Sequence, residues 1–129
     1  EGFLWSAPRE RKRALLLYHH LGLGDHMVCY GLVRSLSVSW PLVLVPVHSR
    51  YLASFEHLYR GVPNVRPYAV EDEYTVIAED DAFFLDAGVQ PLRLGYHRSA
   101  AHTDALLAGG ASFAEVFYMH AGVPYGQRW

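Results

Sequence analysis

The run Leu15–Leu16–Leu17–Tyr18–His19–His20–Leu21–Gly22–Leu23–Gly24–Asp25–His26 constrains this chain more than any other stretch. Four bulky apolar residues in succession suit a strand covered on both faces, as the strands of parallel sheets are. Gly22 and Gly24 let the backbone turn sharply and admit a close approach, and Asp25 can cap a following helix by accepting from its orphan amides. The helix predicted next runs from about His26 to Leu36, with Met27, Tyr30, Val33 and Leu36 on its inner side. A glycine loop leading into a helix N-terminus can cradle an oxyanion or a phosphate. The third glycine of G-x-G-x-x-G would fall on Met27, so the run is not a complete dinucleotide fingerprint.

Strand and helix patterns alternate from there on. Pro41–Val47 is an apolar run bounded by prolines and reads as a second buried strand, followed by a helix over Ser49–Tyr59 with Leu52, Phe55 and Leu58 or Tyr59 at helical spacing. Gly61, Pro63 and Asn64 stop it. Val65–Tyr68 is a third strand whose Pro67 favours a place at the sheet edge. Glu71–Ala87 reads mostly as helix, although Val76, Ile77, Phe83 and Phe84 also suit strands. Pro91–Tyr96 is a fourth strand, Ser99–Ser112 reads as loop, and Phe113–Ala121 is a last short helix stopped by Gly122 and Pro124. The pattern predicts an α/β chain: a Rossmann-like, three-layer αβα domain over 14–129, with a mostly parallel sheet of about four or more strands. Residues 1–13 form a basic lead-in, with Arg9, Arg11, Lys12 and Arg13 as a solvated cluster. The chain begins at Glu1 rather than methionine, as a processed or truncated product would.

Composition narrows the partners. A formal net charge of −2, from 11 basic and 13 acidic residues, supplies no general field for nucleic acid or an anionic membrane. No apolar stretch approaches the ~20 residues that cross a bilayer. Cys29 is the single cysteine, so an intrachain disulfide is impossible and a free thiol suits packing or a reducing compartment, cytoplasmic or organellar.

The candidate chemistry gathers at one edge. In an open α/β sheet ligands sit beyond the carboxyl ends of the strands, and five of the eight histidines map there: His19, His20, His26, His48 and His97. Three readings remain open for them. A metal site lacks the H-x-H, H-x-x-x-H or C-x-x-C pair that usually builds one, so no metal is expected. A general base, or a donor to a ligand oxygen, fits His20 or His26 because imidazole titrates near neutrality. The third reading is hydrogen-bonded histidines that only hold loop ends. Asp25 is either a cap alone or a cap that also touches ligand, and Arg98 either faces an anion or lies exposed.

Tyr18–His26, continuing into Gly31–Leu32–Val33–Arg34, resembles the first strand, loop and helix of glycosyltransferase-like proteins of the GT-B type, distant relatives of heptosyltransferases. The tail Phe113–Tyr125, ending in Arg128–Trp129, resembles the segment that closes their amino-terminal half. Tyr30 departs from the pattern, standing where such relatives carry asparagine. The resemblance implies a Rossmann-like half that receives the acceptor, facing a second Rossmann-like half that binds a nucleotide-sugar donor. It implies that Gly22, Gly24, Asp25 and His26 line the cleft and that Asp25 or His26 activates an acceptor hydroxyl, with His20, His48, His97 and Arg98 as substrate-binding candidates at the same edge. No tightly bound cofactor is expected.

Two functions follow as expectations. One is the acceptor-side half of a nucleotide-sugar-dependent glycosyltransferase, completed by a second Rossmann-like domain or another protein chain. The other is a non-catalytic subunit or interaction module of a larger assembly, to which a composition of 51% apolar residues, 14% of the chain aromatic, also points.

Overall fold

The computed structural model describes residues 14–20, 22–71 and 88–128. Within them the chain runs β1 (Ala14–Tyr18), α1 (Leu23–Val28), α2 (Tyr30–Ser37), β2 (Leu42–His48), α3 (Leu52–Leu58), β3 (Val65–Val70), β4 (Val89–Arg93), α4 (Ala100–Ala108) and α5 (Phe113–Ala121). Short 3-10 turns at Ser49–Tyr51, Gly95–His97 and Tyr125–Arg128 precede α3, follow β4 and follow α5. The basic lead-in, and the helix expected over Glu71–Ala87 beyond its first residue, lie outside the described residues.

The four strands form one parallel sheet in the order β3-β2-β1-β4. This is the α/β, Rossmann-like layout that alternation of patterns predicts, and β3 with its Pro67 does lie at an edge. Succession runs outward from β1 to β3 and then resumes on the far side of β1, so strand order reverses between β1 and β4. A reversal of that kind opens a crevice beyond the strand ends where open α/β sheets receive ligands.

Both faces of β1 are buried, which accounts for its unbroken apolar run. Leu15 and Leu17, with Val43, Val45, Val47, Leu92 and Leu94 of the neighbouring chain segments, meet Leu32, Val33, Phe55, Phe117 and Tyr118 from the helices on one face. Ala14, Leu16, Tyr18, Val70 and Val89 form a second cluster on the other. Leu16 and Leu17 are wholly enclosed, and each such side chain contributes roughly 1.5–3 kcal/mol relative to exposure.

The first helix differs from the expectation of one element over His26–Leu36. It starts at Leu23 and breaks at Cys29 into α1 and α2. The cause is Tyr118. Its hydroxyl accepts from the Leu32 amide at 3.2 Å and donates to the Val28 carbonyl at 2.9 Å, so it replaces the helical bond between those two groups. The inner side changes accordingly: His26, Cys29, Leu32 and Val33 are buried, whereas Met27 is 63% exposed.

Two further expectations are corrected. Ala100–Ala108 is helix rather than loop, because Ser99 caps it by accepting from the His102 amide and the segment is rich in alanine and leucine, which favour helix without needing an apolar stripe. The fourth strand covers Val89–Arg93, and Gly95–His97 leaves the sheet as a 3-10 turn because Gly95 takes a positive φ of 61°. Phe113–Ala121 stands as expected, opened by a reciprocal Ser112 and Glu115 capping box and closed by Gly122 in the left-handed region. The tail then lies against α2, where a Cβ on Gly31 would come within 2.5 Å of the Arg128 Cα. Asn64 joins α2 to β3, its amide donating to the carbonyls of Ser37 and Trp40 at 2.8 and 3.0 Å.

Candidate functional site at the reversal of strand order

Beyond the ends of β1 and β4 the structure gathers six histidines: His19, His20, His26, His97, His102 and His120. Only four of them were expected at this edge. His102 and His120 enter from α4 and α5, and the capped, alanine-rich start of α4 is the signal in the sequence that could have found the first.

The glycine loop does not hold an open cradle. Gly22, not Asp25, occupies the N-cap, and Asp25 sits three residues inside with its carboxylate turned back to accept from the Gly22 amide at 3.1 Å. That oxygen takes the position a bound anion would want, and its charge opposes one. Gly24 lies within α1, and a Cβ there would meet nothing within 4 Å. Gly22 is more constrained, since a Cβ on it would meet the Asp25 carboxylate at 2.9 Å.

His26 does not begin the helix and does not face open solvent; it is buried to 1% exposure, with its ring edge-on to Phe55. Its Nδ1 lies 3.1 Å from Nε2 of His19, which is equally buried. His26 Nε2 is enclosed without a partner. An orphan lone pair costs less than an orphan N–H, so the network assigns the shared proton to His26 Nδ1, donating to His19. Protonating His26 would then place an N–H in that unpartnered position. Burial accordingly pushes its pKa down to about 4, and pushes His19 down as well, helped by the neighbouring histidines.

The opposite side of the cluster is built on the turn after β4. His20 Nε2 accepts from the Tyr96 amide at 3.2 Å, and His120 Nδ1 accepts from the Gly95 amide at 2.9 Å. Acceptance at Nδ1 leaves the His120 proton on Nε2, which lies 3.0 Å from His102 Nδ1 and donates to it. Gly95 is required here twice over: its φ is positive, and a Cβ would meet His20 Nε2 and Phe117 Cε1 at 2.8 Å each. His97 stacks on His20 with centroids 4.5 Å apart, and Phe113 and Phe117 complete the ring packing around His20. Tyr96 is 43% exposed and donates its hydroxyl to Asp104 at 2.7 Å, which holds that hydroxyl above its ordinary pKa.

Of the remaining candidates His48 lies away from the cluster, whereas Arg98 stands at its margin, at the end of the Gly95–His97 turn. His48 caps the 3-10 turn before α3, its Nδ1 accepting from the Arg50 amide, and its ring faces Tyr51 rather than the histidine cluster. Arg98 is exposed and lines a cleft of about 940 Å³ beside β4, together with Arg93, Ser99 and His120. Cys29 is buried at the break between α1 and α2; burial, and then the Asp25 carboxylate, push its thiol above the ordinary range, so it stays protonated and packs in the core. No group of three or more His, Cys, Asp or Glu that could hold a metal ion occurs among the described residues, and no described helix is long and apolar enough to cross a membrane.

No protein-family model, no curated protein and no solved structure matches the chain. The functional reading therefore rests on the site itself and on the sequence motifs. Those two motifs meet in the fold: Tyr118 of the tail holds the break beside Cys29, and the tail backbone at Gln127 and Arg128 covers Gly31.

Proposed function

We propose that this chain is a glycosyltransferase-like half-domain that receives an acceptor at the β1 and β4 ends of the sheet, with its glycine loop serving the fold rather than the reaction. One observation carries the reading: Asp25 and His26 are consumed by Gly22 and His19, while His20, Tyr96 and His97 form a partly exposed ring shelf at the reversal of strand order. A sugar presents C–H faces that stack on rings and hydroxyls that pair with polar groups. The shelf offers both, since the Tyr96 hydroxyl and the Asp104 carboxylate stand at its rim. The nucleotide-sugar donor, and the groups that activate the acceptor hydroxyl, then belong to a second Rossmann-like domain or another protein chain.

Amide chemical-shift mapping with a panel of simple glycosides tests this. Shifts at Gly95, Tyr96 and His97 are the expected result. Turnover of a nucleotide sugar by the chain alone, abolished by Asp25→Ala, would return the catalytic role to the glycine loop and overturn the proposal.

A second reading, a non-catalytic module of a larger assembly, is favoured by a different surface. Leu23, Met27 and Val28 are exposed on α1, and Leu23 and Met27 border an apolar groove of about 420 Å³ against Ala53 and Leu58 of α3. Exposed apolar area of this kind marks protein contact. Met27→Glu weakening an association seen in sedimentation is the result that would favour this reading over the first.

A further inference from the structure

We propose that the Gly95–His97 turn is a latch released by acid. The turn is held by two consecutive backbone amides, Gly95 donating to His120 Nδ1 and Tyr96 donating to His20 Nε2. Backbone amides cannot reverse roles, so each imidazole must stay unprotonated at the accepting nitrogen for the turn to close. A proton on either nitrogen sets N–H against N–H and breaks the contact. The surroundings sharpen this response. Burial opposes a charge on His120, as do Arg98 at the end of the turn and His102 from α4. His20 is stacked on His97 at 4.5 Å, follows His19 in the chain, and is otherwise packed by Tyr96, Phe113 and Phe117. The acid at this rim, Asp104, bonds the Tyr96 hydroxyl. A proton taken up at either accepting nitrogen therefore competes with closure of the turn.

The consequence falls on the ligand edge of the sheet, because opening moves Tyr96 and His97 while β1 and β4 remain paired. The inference does not depend on what that edge binds. It belongs with the known use of histidine as a switch between pH 5 and 8.

Hydrogen exchange of the whole chain between pH 7.5 and 5.5 tests it, read as protection factors corrected for intrinsic exchange. Protection at Gly95 and Tyr96 should fall as pH is lowered, by up to about tenfold per pH unit for each proton taken up on opening. His120→Asn and His20→Gln place a non-titrating carbonyl oxygen near each accepting nitrogen, and each should flatten the fall at its own amide, Gly95 and Tyr96 respectively. Protection at these amides that is flat with pH in the unaltered chain overturns the latch. A fall that both variants leave in place also overturns it, since opening would then follow the acid lability of the whole chain.

Discussion

Nδ1 of His26 and Nε2 of His19 lie 3.1 Å apart with both rings buried, so one proton serves two imidazoles beneath the glycine loop. A general base needs a lone pair within reach of substrate, and here the unpartnered one, on His26 Nε2, is enclosed in the core. The clearest effect of these residues is on stability.

His26 binds its proton at about pH 4 in the folded chain and near 6.5 when unfolded. Between those values the unfolded state holds more protons, so stability is fully present above pH 6.5 and declines as pH falls toward 4. The slope is at most about 1.4 kcal/mol per unit for this group, and His19 adds in the same direction. Urea midpoints at pH 7.5, 6 and 5 should drop steadily, and His26→Gln should flatten the drop.

Tyr118→Phe removes the hydroxyl between Val28 and Leu32 and leaves a buried carbonyl and amide to find each other or go unpaired. A loss of about 1–3 kcal/mol is expected, measured by urea denaturation. A neutral result would mean that α1 and α2 close into one helix without cost.

Three glycines of the loop and helices after β1 separate cleanly. Gly24→Ala should stabilise by about 0.5–1 kcal/mol, since its position is helical and a Cβ there meets nothing. Gly31→Ala should destabilise by about 1–3 kcal/mol, because the backbone at Gln127 and Arg128 occupies the space. Gly22→Ala falls between them, its one close neighbour being the Asp25 side chain. Thermal melts of the three variants give the order.

Asp25→Ala should cost about 0.5–1 kcal/mol through loss of the acceptor for the Gly22 amide and of a negative charge in the first turn of α1. The measurement is chemical denaturation at pH 7. Unchanged stability would free Asp25 for a role outside the fold.

Much of the fold was legible because it rests on short-range pattern. The apolar run at β1, the proline-bounded β2 and the α5 segment with its Gly122 stop each carry their own signal. The break at Cys29 was not legible, because its cause is Tyr118, 90 positions beyond Val28, whose carbonyl it takes. Nor was the helix over Ala100–Ala108, whose alanines lack the apolar stripe that marks a helix packed on a core. At the site, the sequence placed His20, His26 and His97 at the correct edge but left their roles open. Whether an imidazole serves ligand or backbone depends on which amide it meets, and Gly95 and Tyr96 are brought to His120 and His20 only by the pairing of β1 with β4.

The central claim is that ligand meets the ring shelf and not the glycine loop. Backbone amide shifts on addition of a glycoside test it most directly. Shifts centred on Gly95, Tyr96 and His97, with Leu23, Gly24 and Asp25 unmoved, are the predicted result; shifts centred on Leu23–Asp25, or none at either place, would contradict it.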